Sequence, residues 1–540
     1  MRRSAAPWRC ALLGAALCGV ACTMAALASP LSGQTDPTTM PAPEPAPFGS
    51  TRGGEGLPVR KLTLDNGMRV LLLRREGAPT VSFVMRFGVG GVHERLGTTG
   101  VAHLLEHLLF KGTESIGTTD VDAERRLFSA ADSVHEELLA LRARRTTDPG
   151  ATSGDSTAIA ALDAERLALE STLRAIEDSA RVFVESNAFD RILTRAGAQG
   201  LNATTTSEAT SYFVELPANR AELFFALEAD RMANPVFREF YTERDVVMEE
   251  RRMRVETNPG GALYEAHLDA AYSVHPYGQP VVGYRSDLET LRRSDVEAYY
   301  RAFYGPNNAV LAVVGDIDLD RVEGWVRTYL DPIPSGREPP AVFAEEPPQR
   351  GERRVEIEWD AEPALRIGWH VPATSHPDAA ALVVFSAVLT GGRTARLHRR
   401  MVTDERLASA VYSSMGPGDL YPRLFQVDAT PLHPASTVDL EAVIYEEMAR
   451  LADEGPTPDE MERVRNQVSA ATVRRLQSNF GLALQLADSE SLLGDWRATF
   501  RATERLRAVT ADDVRRVARR YFDETNRTVA TLVTRREGNP

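Results

Sequence analysis

Two histidines and a glutamate within a span of five residues are the first candidates for chemistry in this sequence. His103, Glu106 and His107 form the pattern H-x-x-E-H inside the run GVAHLLEHLLFKGT, residues 100–113. On a helix the two histidines lie one turn apart on the same face, so both imidazoles can reach one metal ion. Glu106 lies beside that face and can hydrogen-bond a water held by the metal. The spacing therefore predicts a metal site suited to activating water.

The neighbouring residues favour a buried helix. Residues 102–110 contain no β-branched residue and include four leucines, and Lys111-Gly112 provides a C-terminal stop. The alternative interpretation is a solvated surface helix on which the three polar side chains have no joint role. The apolar neighbours disfavour that alternative, because polar groups on a buried helix need partners.

The N-terminus has the pattern of a secretory signal. Three arginines precede an apolar stretch at residues 11–27, and Ala26-Leu27-Ala28 forms an A-x-A cleavage site. We predict a signal peptide over residues 1–28, with a transmembrane anchor and a lipoprotein as the alternatives. Residues 29–56 are rich in proline, serine and glycine and are predicted to be a disordered leader.

Composition limits the chemistry of the mature chain. All the cysteines, Cys10, Cys18 and Cys22, fall in the predicted signal peptide, so any metal must be held by His, Asp or Glu. The signal peptide has three arginines and no acidic residue, so its loss takes the formal net charge from −14 to −17. This charge disfavours nucleic acids and anionic membranes. We expect no nucleic-acid partner and no membrane insertion after signal removal.

Residues 121–184 have the pattern of two charged helices inserted after the histidine segment. Helical patterns at 121–145 and 158–184 are joined by a turn-rich loop, and Leu162, Leu169 and Ile176 repeat every seven residues in the second. The pattern predicts a projecting antiparallel helical hairpin. Its role stays open between a solvated spacer and a docking element.

The two halves of the chain share one design. The segment from Asp295 to Val310 aligns without gaps on the segment from Asp513 to Thr528, at a constant offset of 218 residues, and each is typical of a helix followed by a strand. The repeat predicts an α+β fold of two homologous α/β sandwich domains, each an antiparallel-rich sheet with helices on one face. We place the first domain at 57–332, a linker at 333–350 and the second domain, which lacks H-x-x-E-H, at 351–535.

Taken together, these motifs resemble the insulinase–pitrilysin family of zinc metallopeptidases, in particular its bacterial processing-peptidase-like branch. The resemblance is strong over residues ~57–335 and weaker over the second domain. Besides residues 100–113 it rests on Glu94 and on the segments 64–67, 201–204, 243–250, 275–278, 304–308 and 314–316.

The resemblance implies a role for each matching residue. It assigns Zn²⁺ binding to three residues: His103, His107 and Glu250. It makes Glu106 the catalytic base and Glu243 a carboxylate behind the ligands. Glu250 is preferred to Glu249 because it shares the helix face of Glu243. Asn202 and Ala203 match the family's edge strand, to which a substrate backbone adds as an extra strand.

Two features depart from the family pattern. The interval from His107 to Glu250 is about twice the family's usual length, and the inserted hairpin accounts for the excess. In the family's second domain an arginine, followed seven residues later by a tyrosine, binds the substrate carbonyl, whereas this sequence has Val402 and Ser409 at those positions. A register shift would bring other side chains into these roles: Arg399, Arg400 or Tyr412.

The missing pair implies a site shared between two chains. In two-chain family members one subunit supplies the zinc site and the other the arginine–tyrosine pair, and they close as a clamshell over the peptide. We therefore expect a homodimer, or a heterodimer with a second family chain that supplies the pair.

The function implied is a periplasmic or secreted zinc endopeptidase that hydrolyses unfolded peptides. The main alternative is a non-catalytic family subunit that acts as a peptide-binding or assembly scaffold. A docking protein that works through the hairpin is a third possibility.

Overall fold

Two mixed sheets organise the chain. The structure, a computed structural model, describes residues 57–535, so the predicted signal peptide and leader lie outside the described residues. The first sheet has the strand order β1-β2-β6-β3-β5-β4 and the second the order β7-β11-β8-β10-β9. The strands are β1 (Arg60–Thr63), β2 (Arg69–Arg74), β3 (Thr80–Phe87), β4 (Gln199–Thr205), β5 (Thr210–Pro217), β6 (Ala309–Gly315), β7 (Arg353–Trp359), β8 (Ala364–Val371), β9 (Ala408–Gly416), β10 (Arg423–Pro431) and β11 (Arg527–Thr534).

Helices connect and cover these strands. They are α1 (Val101–Leu108), α2 (Val121–Thr147), α3 (Pro149–Thr152), α4 (Ser156–Arg181), α5 (Ala188–Arg195), α6 (Ala221–Ala233), α7 (Phe240–Arg251), α8 (Pro259–Ala271), α9 (Arg285–Leu288), α10 (Arg293–Phe303), α11 (Leu319–Trp325), α12 (Ala379–Thr390), α13 (Thr437–Asp453), α14 (Pro458–Gln477), α15 (Asn479–Leu493), α16 (Ala498–Ala508) and α17 (Ala511–Tyr521). None of those that the structure describes is both long enough and apolar enough to cross a membrane.

The two sheets repeat one pairing scheme. In the first, β2 and β6 are parallel and the following pairs β6–β3, β3–β5 and β5–β4 are antiparallel. In the second, β7 and β11 are parallel and β11–β8, β8–β10 and β10–β9 are antiparallel. The offset of about 218 residues also relates α6, α7, α8 and α10 to α13, α14, α15 and α17. The predicted α+β fold of two homologous domains is therefore confirmed.

Each sheet packs its own helices against one face. The first core joins the buried face of β2, β3 and β6 to α1, α6, α7 and α10. The second joins β8, β10 and β11 to α12, α13, α14 and α17. Burial of large apolar side chains at these faces is the main stabilising contribution to each domain.

The opposite face of each sheet is covered by a helix from the other half of the chain. On α15, Leu482, Ala483 and Leu486 pack against the strand residues of the first sheet, among them Leu71 and Val84. Reciprocally, α8 crosses to the second sheet, where Leu263 packs against Ala530 and Leu532. Because α8 and α15 are equivalent helices in the repeat, the two halves exchange equivalent elements, an arrangement that the sequence prediction did not include.

Candidate metal centre

Helix α1 presents its polar residues away from the first core. Leu104, Leu105 and Leu108 are fully buried against the sheet. His103 is buried as well, with 7% of its surface exposed, whereas Glu106 and His107 are half-buried. The helix ends at Leu108, close to the predicted stop. Its apolar face thus fixes the direction in which the H-x-x-E-H side chains point.

The start of α1 is capped by Glu94. Its Oε2 accepts a hydrogen bond from Gly100 N at 2.8 Å, and its Oε1 accepts one from Ala102 N at 2.7 Å. These amides are among those that a helix N-terminus leaves without intrahelical partners. Burial raises the pKa of Glu94 to about 8, although both hydrogen bonds favour its charged form. Gly100 has a φ of +88°, and a Cβ there would collide with Val282 O, so the position requires glycine.

Three candidate ligand atoms converge between α1 and α7. Nε2 of His103 lies 3.5 Å and Nε2 of His107 3.6 Å from Oε2 of Glu250. Ligand atoms of these three residues all lie within 4.8 Å of one another, the one such group among residues 57–535. The structure thus brings together the three residues expected to bind Zn²⁺, although they come from helices on either side of the inserted hairpin.

The neighbouring Glu249 points elsewhere. Its carboxylate accepts hydrogen bonds from Arg252 at 2.5 and 2.7 Å on the exposed side of α7. The second carboxylate oxygen of Glu250, Oε1, is paired with Arg254, so Oε2 is left facing the two imidazoles. The register of α7 thus gives the two adjacent glutamates different surroundings.

Glu243 lies one step behind the ligands. Its Oε2 is 3.3 Å from Nδ1 of His107, and its Oε1 is 2.5 Å from Nζ of Lys111. Burial alone would raise the pKa of Glu243, but the hydrogen bonds with His107 and Lys111 outweigh it and lower this pKa. An Nδ1–H donated to Glu243 leaves the Nε2 lone pair of His107 directed at the centre.

Burial also keeps His103 neutral. Desolvation, reinforced by repulsion from His107 and Arg254, lowers the pKa of His103 to about 3. Its Nδ1 has no hydrogen-bond partner among the residues that the structure describes. A neutral imidazole has the protonation state that a metal ligand needs, and the ring nitrogen that faces Glu250 is Nε2.

Glu106 is held by the edge strand of the first sheet. Oγ1 of Thr205 donates a hydrogen bond of 2.5 Å to Oε2 of Glu106. Thr205 ends β4, whose outer edge has no strand partner within the described range. Asn202 and Ala203 lie on the same strand, Asn202 exposed and Ala203 nearly buried. The candidate base and the predicted substrate strand are therefore in direct contact.

The second domain has neither the arginine nor the tyrosine at the predicted positions. Val402 packs against the second core, and Ser409 is an exposed residue of β9. Arg400 is paired with three glutamates, which are Glu405, Glu446 and Glu447. Tyr412 lies on β9 with 52% of its surface exposed.

Several residues of the site were missed by sequence reasoning. No role was predicted for the contacts of Thr205, Lys111 and Arg254. Thr205 is one of three consecutive threonines and Lys111 one of only two lysines in the chain, and neither pattern indicates which carboxylate the side chain will meet. These contacts form between elements distant in sequence, so a local pattern does not predict them.

Comparison with known families identifies the fold. Residues 69–125 and 165–285 match the family model described as "Insulinase (Peptidase family M16)", and residues 290–468 match "Peptidase M16 inactive domain". Together the two matches span well over half of the chain. The chain belongs to the M16 (insulinase/pitrilysin) family. The part of the hairpin from 126 to 164 lies outside both matches.

Similar proteins include M16 members of comparable length. Zinc protease PqqE of Helicobacter pylori is 26% identical over 484 residues, which cover 87% of this chain and 92% of PqqE. The crystal structure of a protease from Helicobacter pylori has a TM-score of 0.72 at 23% identity, covering 88% of this chain and all of that one. The first half of the periplasmic protease PqqL from Escherichia coli has a TM-score of 0.61 at 16% identity, covering 88% of this chain and 92% of that one. At these identities the structures establish the shared M16 fold.

Replacing the cap of α1 should destabilise this M16 chain. Glu94→Ala leaves two buried helix amides without acceptors, so we expect the free energy of unfolding to fall by about 1–3 kcal/mol in chemical denaturation. Glu76→Ala is the control, because Glu76 is exposed and pairs only with exposed Arg74 among the described residues; its effect should stay within about 0.5 kcal/mol. Equal effects of the two substitutions would contradict the cap.

Proposed function

We propose that this chain is a zinc-dependent endopeptidase and that His103, His107 and Glu250 hold the metal. The observation that supports this most directly is the convergence of two Nε2 atoms and one carboxylate oxygen within 4.8 Å. Two histidines and a carboxylate are a donor set that zinc accepts, and three protein ligands leave one position open. The names of M16 relatives, such as zinc protease PqqE, agree with this metal.

The centre also meets two further requirements of a ligand set. His103 is kept neutral by burial, and Glu243 faces the Nδ1 of His107, which leaves both Nε2 atoms available. Two imidazole nitrogens and Oε2 of Glu250 converge in a partly buried place, while Arg254 pairs with the other carboxylate oxygen of Glu250. Such an arrangement costs free energy unless a cation lies between the groups.

We assign the proton transfers to Glu106. When bound, zinc would act as a Lewis acid that polarises the scissile carbonyl and acidifies water. Glu106 then accepts the proton of the attacking water and passes a proton to the leaving amine. The hydrogen bond from Thr205 fixes the orientation of one carboxylate oxygen of Glu106. Burial raises the pKa of Glu106, which suits a group that must both take up and release a proton.

The substrate is proposed to be an unfolded peptide. The free edge of β4, with Asn202 and Ala203, offers backbone groups to which an extended segment can add as a further strand. Glu106 is joined to Thr205 on that strand, so a peptide bound there would lie alongside the base.

The active assembly is proposed to contain two chains. Val402 and Ser409 stand where the family has an arginine and a tyrosine, and Arg400 is occupied by three glutamates. A homodimer or a heterodimer with a second M16 chain would close over the peptide as a clamshell.

We place the enzyme in the periplasm or outside the cell, in agreement with the signal-like N-terminal sequence and with the periplasmic neighbour PqqL. A non-catalytic scaffold is the alternative; the match described as an inactive domain, residues 290–468, covers the half of the chain that lacks H-x-x-E-H.

The role of Glu106 as the general base can be tested without changing the metal ligands. Glu106→Gln should lower hydrolysis of a quenched fluorescent peptide by at least about 10²-fold, because general acid–base catalysis contributes roughly 10²–10⁴-fold. Zinc content, measured on the same sample, should stay at that of the unaltered protein. Near-normal turnover of Glu106→Gln would refute the role of Glu106, and a zinc-bound unaltered protein without turnover would favour the scaffold.

Two adjacent glutamates provide a matched test of the metal site. Glu250→Gln should weaken zinc binding, measured by chelator competition, because it removes the anionic oxygen 3.5 Å from His103. Glu249→Gln changes the next residue of the same helix but affects only an exposed pair with Arg252, so its zinc affinity should stay within about twofold. Loss of affinity in Glu249→Gln alone would show that the third ligand is misassigned.

Oligomeric state tests the two-chain proposal. We expect the mature protein to behave as a dimer in size-exclusion chromatography with light scattering, or to hydrolyse peptides only after a second M16 chain is added. The reason is that one chain lacks the arginine and tyrosine at the family positions. A monomer with full activity would contradict the proposal.

A further inference from the structure

The helical hairpin α2–α4 consists of two parts with different surroundings. In the tip, residues 142–172, every residue is exposed or half-exposed. In the base, Ala131 and Leu173 belong to the first core, with Val134, Leu138 and Ile176 packed against it. The base is therefore built into the domain, whereas the tip contributes no buried residue to it.

The base packs against the side of α7 that faces away from the candidate metal centre. Tyr241 donates a hydrogen bond of 2.8 Å to Oδ1 of Asp132, and Thr242 donates one of 3.2 Å to Oε1 of Glu177. The ring of His135, which is 3% exposed, lies 5.1 Å from the ring of Tyr241. Glu243, Val247 and Glu250 lie on the other side of the helix, so α7 is held between the hairpin and α1.

A buried guanidinium joins the three elements. Arg238, two residues before the start of α7, is fully buried and pairs with Glu124 of α2, which is fully buried too. It also donates hydrogen bonds of 2.7 Å to Lys111 O and Thr113 O in the loop after α1. Because Arg238 is bonded both to α2 and to the loop after α1, it fixes the start of α7 relative to α1 and to the hairpin.

A second arginine also contacts both the hairpin and α7. Arg293, at the start of α10, lies 4.4 Å from the ring of Phe128 on α2 and 5.3 Å from that of Phe240 on α7. Its Nε donates to Asp132 at 3.2 Å. Buried cation–π contacts and charge-assisted hydrogen bonds are more directional than apolar packing, so they define the position of α7 along its axis as well as its distance.

We infer that the base of the hairpin acts as a brace: it holds α7 in place and thereby fixes the position of Glu250. The metal affinity of the centre then depends on this brace. Asp132 and Glu177 are positioning residues that act through α7. The zinc part of this inference rests on the proposed function, whereas the bracing of α7 does not. Neither the spacer nor the docking role considered from the sequence is needed to explain why the insertion is buried at its base.

The test compares two double variants within one hairpin. Asp132→Ala/Glu177→Ala removes the acceptors that α7 uses, and Arg144→Ala/Arg145→Ala removes the exposed tip pairs with Glu165 and Asp163. We expect the base variant to bind zinc at least about 3-fold more weakly in chelator competition, a smaller loss than the roughly 10- to 100-fold typical of residues that hydrogen-bond a metal ligand directly. The tip variant should stay within about twofold of the unaltered protein.

Amide hydrogen exchange provides a readout that does not depend on zinc or activity. The base variant should exchange faster at α7, with little change in the second domain, and Asp132→Asn/Glu177→Gln should recover most of the zinc affinity because it retains acceptor oxygens. Unchanged zinc affinity and unchanged exchange of α7 in the base variant would overturn the inference. Equal losses in both variants would overturn it too, because they would reflect hairpin stability alone.

Two further outcomes keep the inference distinct from the proposed function. If the unaltered protein binds no zinc, the proposed function fails, and exchange at α7 still decides whether the hairpin braces this helix. If the base variant does not fold, Tyr241→Phe replaces it, since it removes only the hydroxyl that contacts Asp132. We then expect faster exchange at α7 and a zinc affinity a few-fold lower, and no change in either would refute the brace.

Discussion

The first domain has to bring two imidazole nitrogens and a carboxylate oxygen close together between α1 and α7, and this is the constraint on which its candidate site depends. Bringing polar acceptors together in a partly buried place is unfavourable unless each is held and compensated. The apolar face of α1 alone would fix the helix only approximately. Glu94 at its start and Arg238 after its end anchor it by hydrogen bonds to backbone groups, which locate a helix much more closely than leucine packing does.

The exchange of α8 and α15 explains how the two domains form one structure. Each sheet has an apolar second face that would be exposed if the domain stood alone, and the equivalent helix from the other half covers it. The contact is close enough that a Cβ at Gly368 on β8 would meet the imidazole of His267 on α8. Because α8 follows α7 by only a short segment, the second sheet also restrains the helix that bears Glu250.

The sequence was informative wherever a feature repeats with a regular period. Helical spacing brought His103 and His107 to one face and separated Glu250 from Glu249, and a constant offset revealed the duplicated design. Sequence could not show which sheet α8 or α15 would cover, because an apolar helix face does not specify its partner. Nor could it show that Thr205 would meet Glu106, since that contact depends on where the edge of a sheet passes the end of a helix.

The second domain has the same fold without the residues that form the candidate metal centre. At the offset of 218 residues, Glu243 and Glu250 correspond to Met461 and Val468, which both pack against the second core. Helix α12, the counterpart of α1 after the equivalent strand, has no histidine, and its Ser386 is hydrogen-bonded to Ser413 at 2.8 Å. In the second domain the equivalent positions are thus occupied by apolar side chains and by a serine that is hydrogen-bonded to another serine, as stability alone would favour. The first domain instead brings two imidazole nitrogens and a carboxylate oxygen together at this place, an arrangement that the proposed zinc site would explain because a bound cation compensates such converging groups.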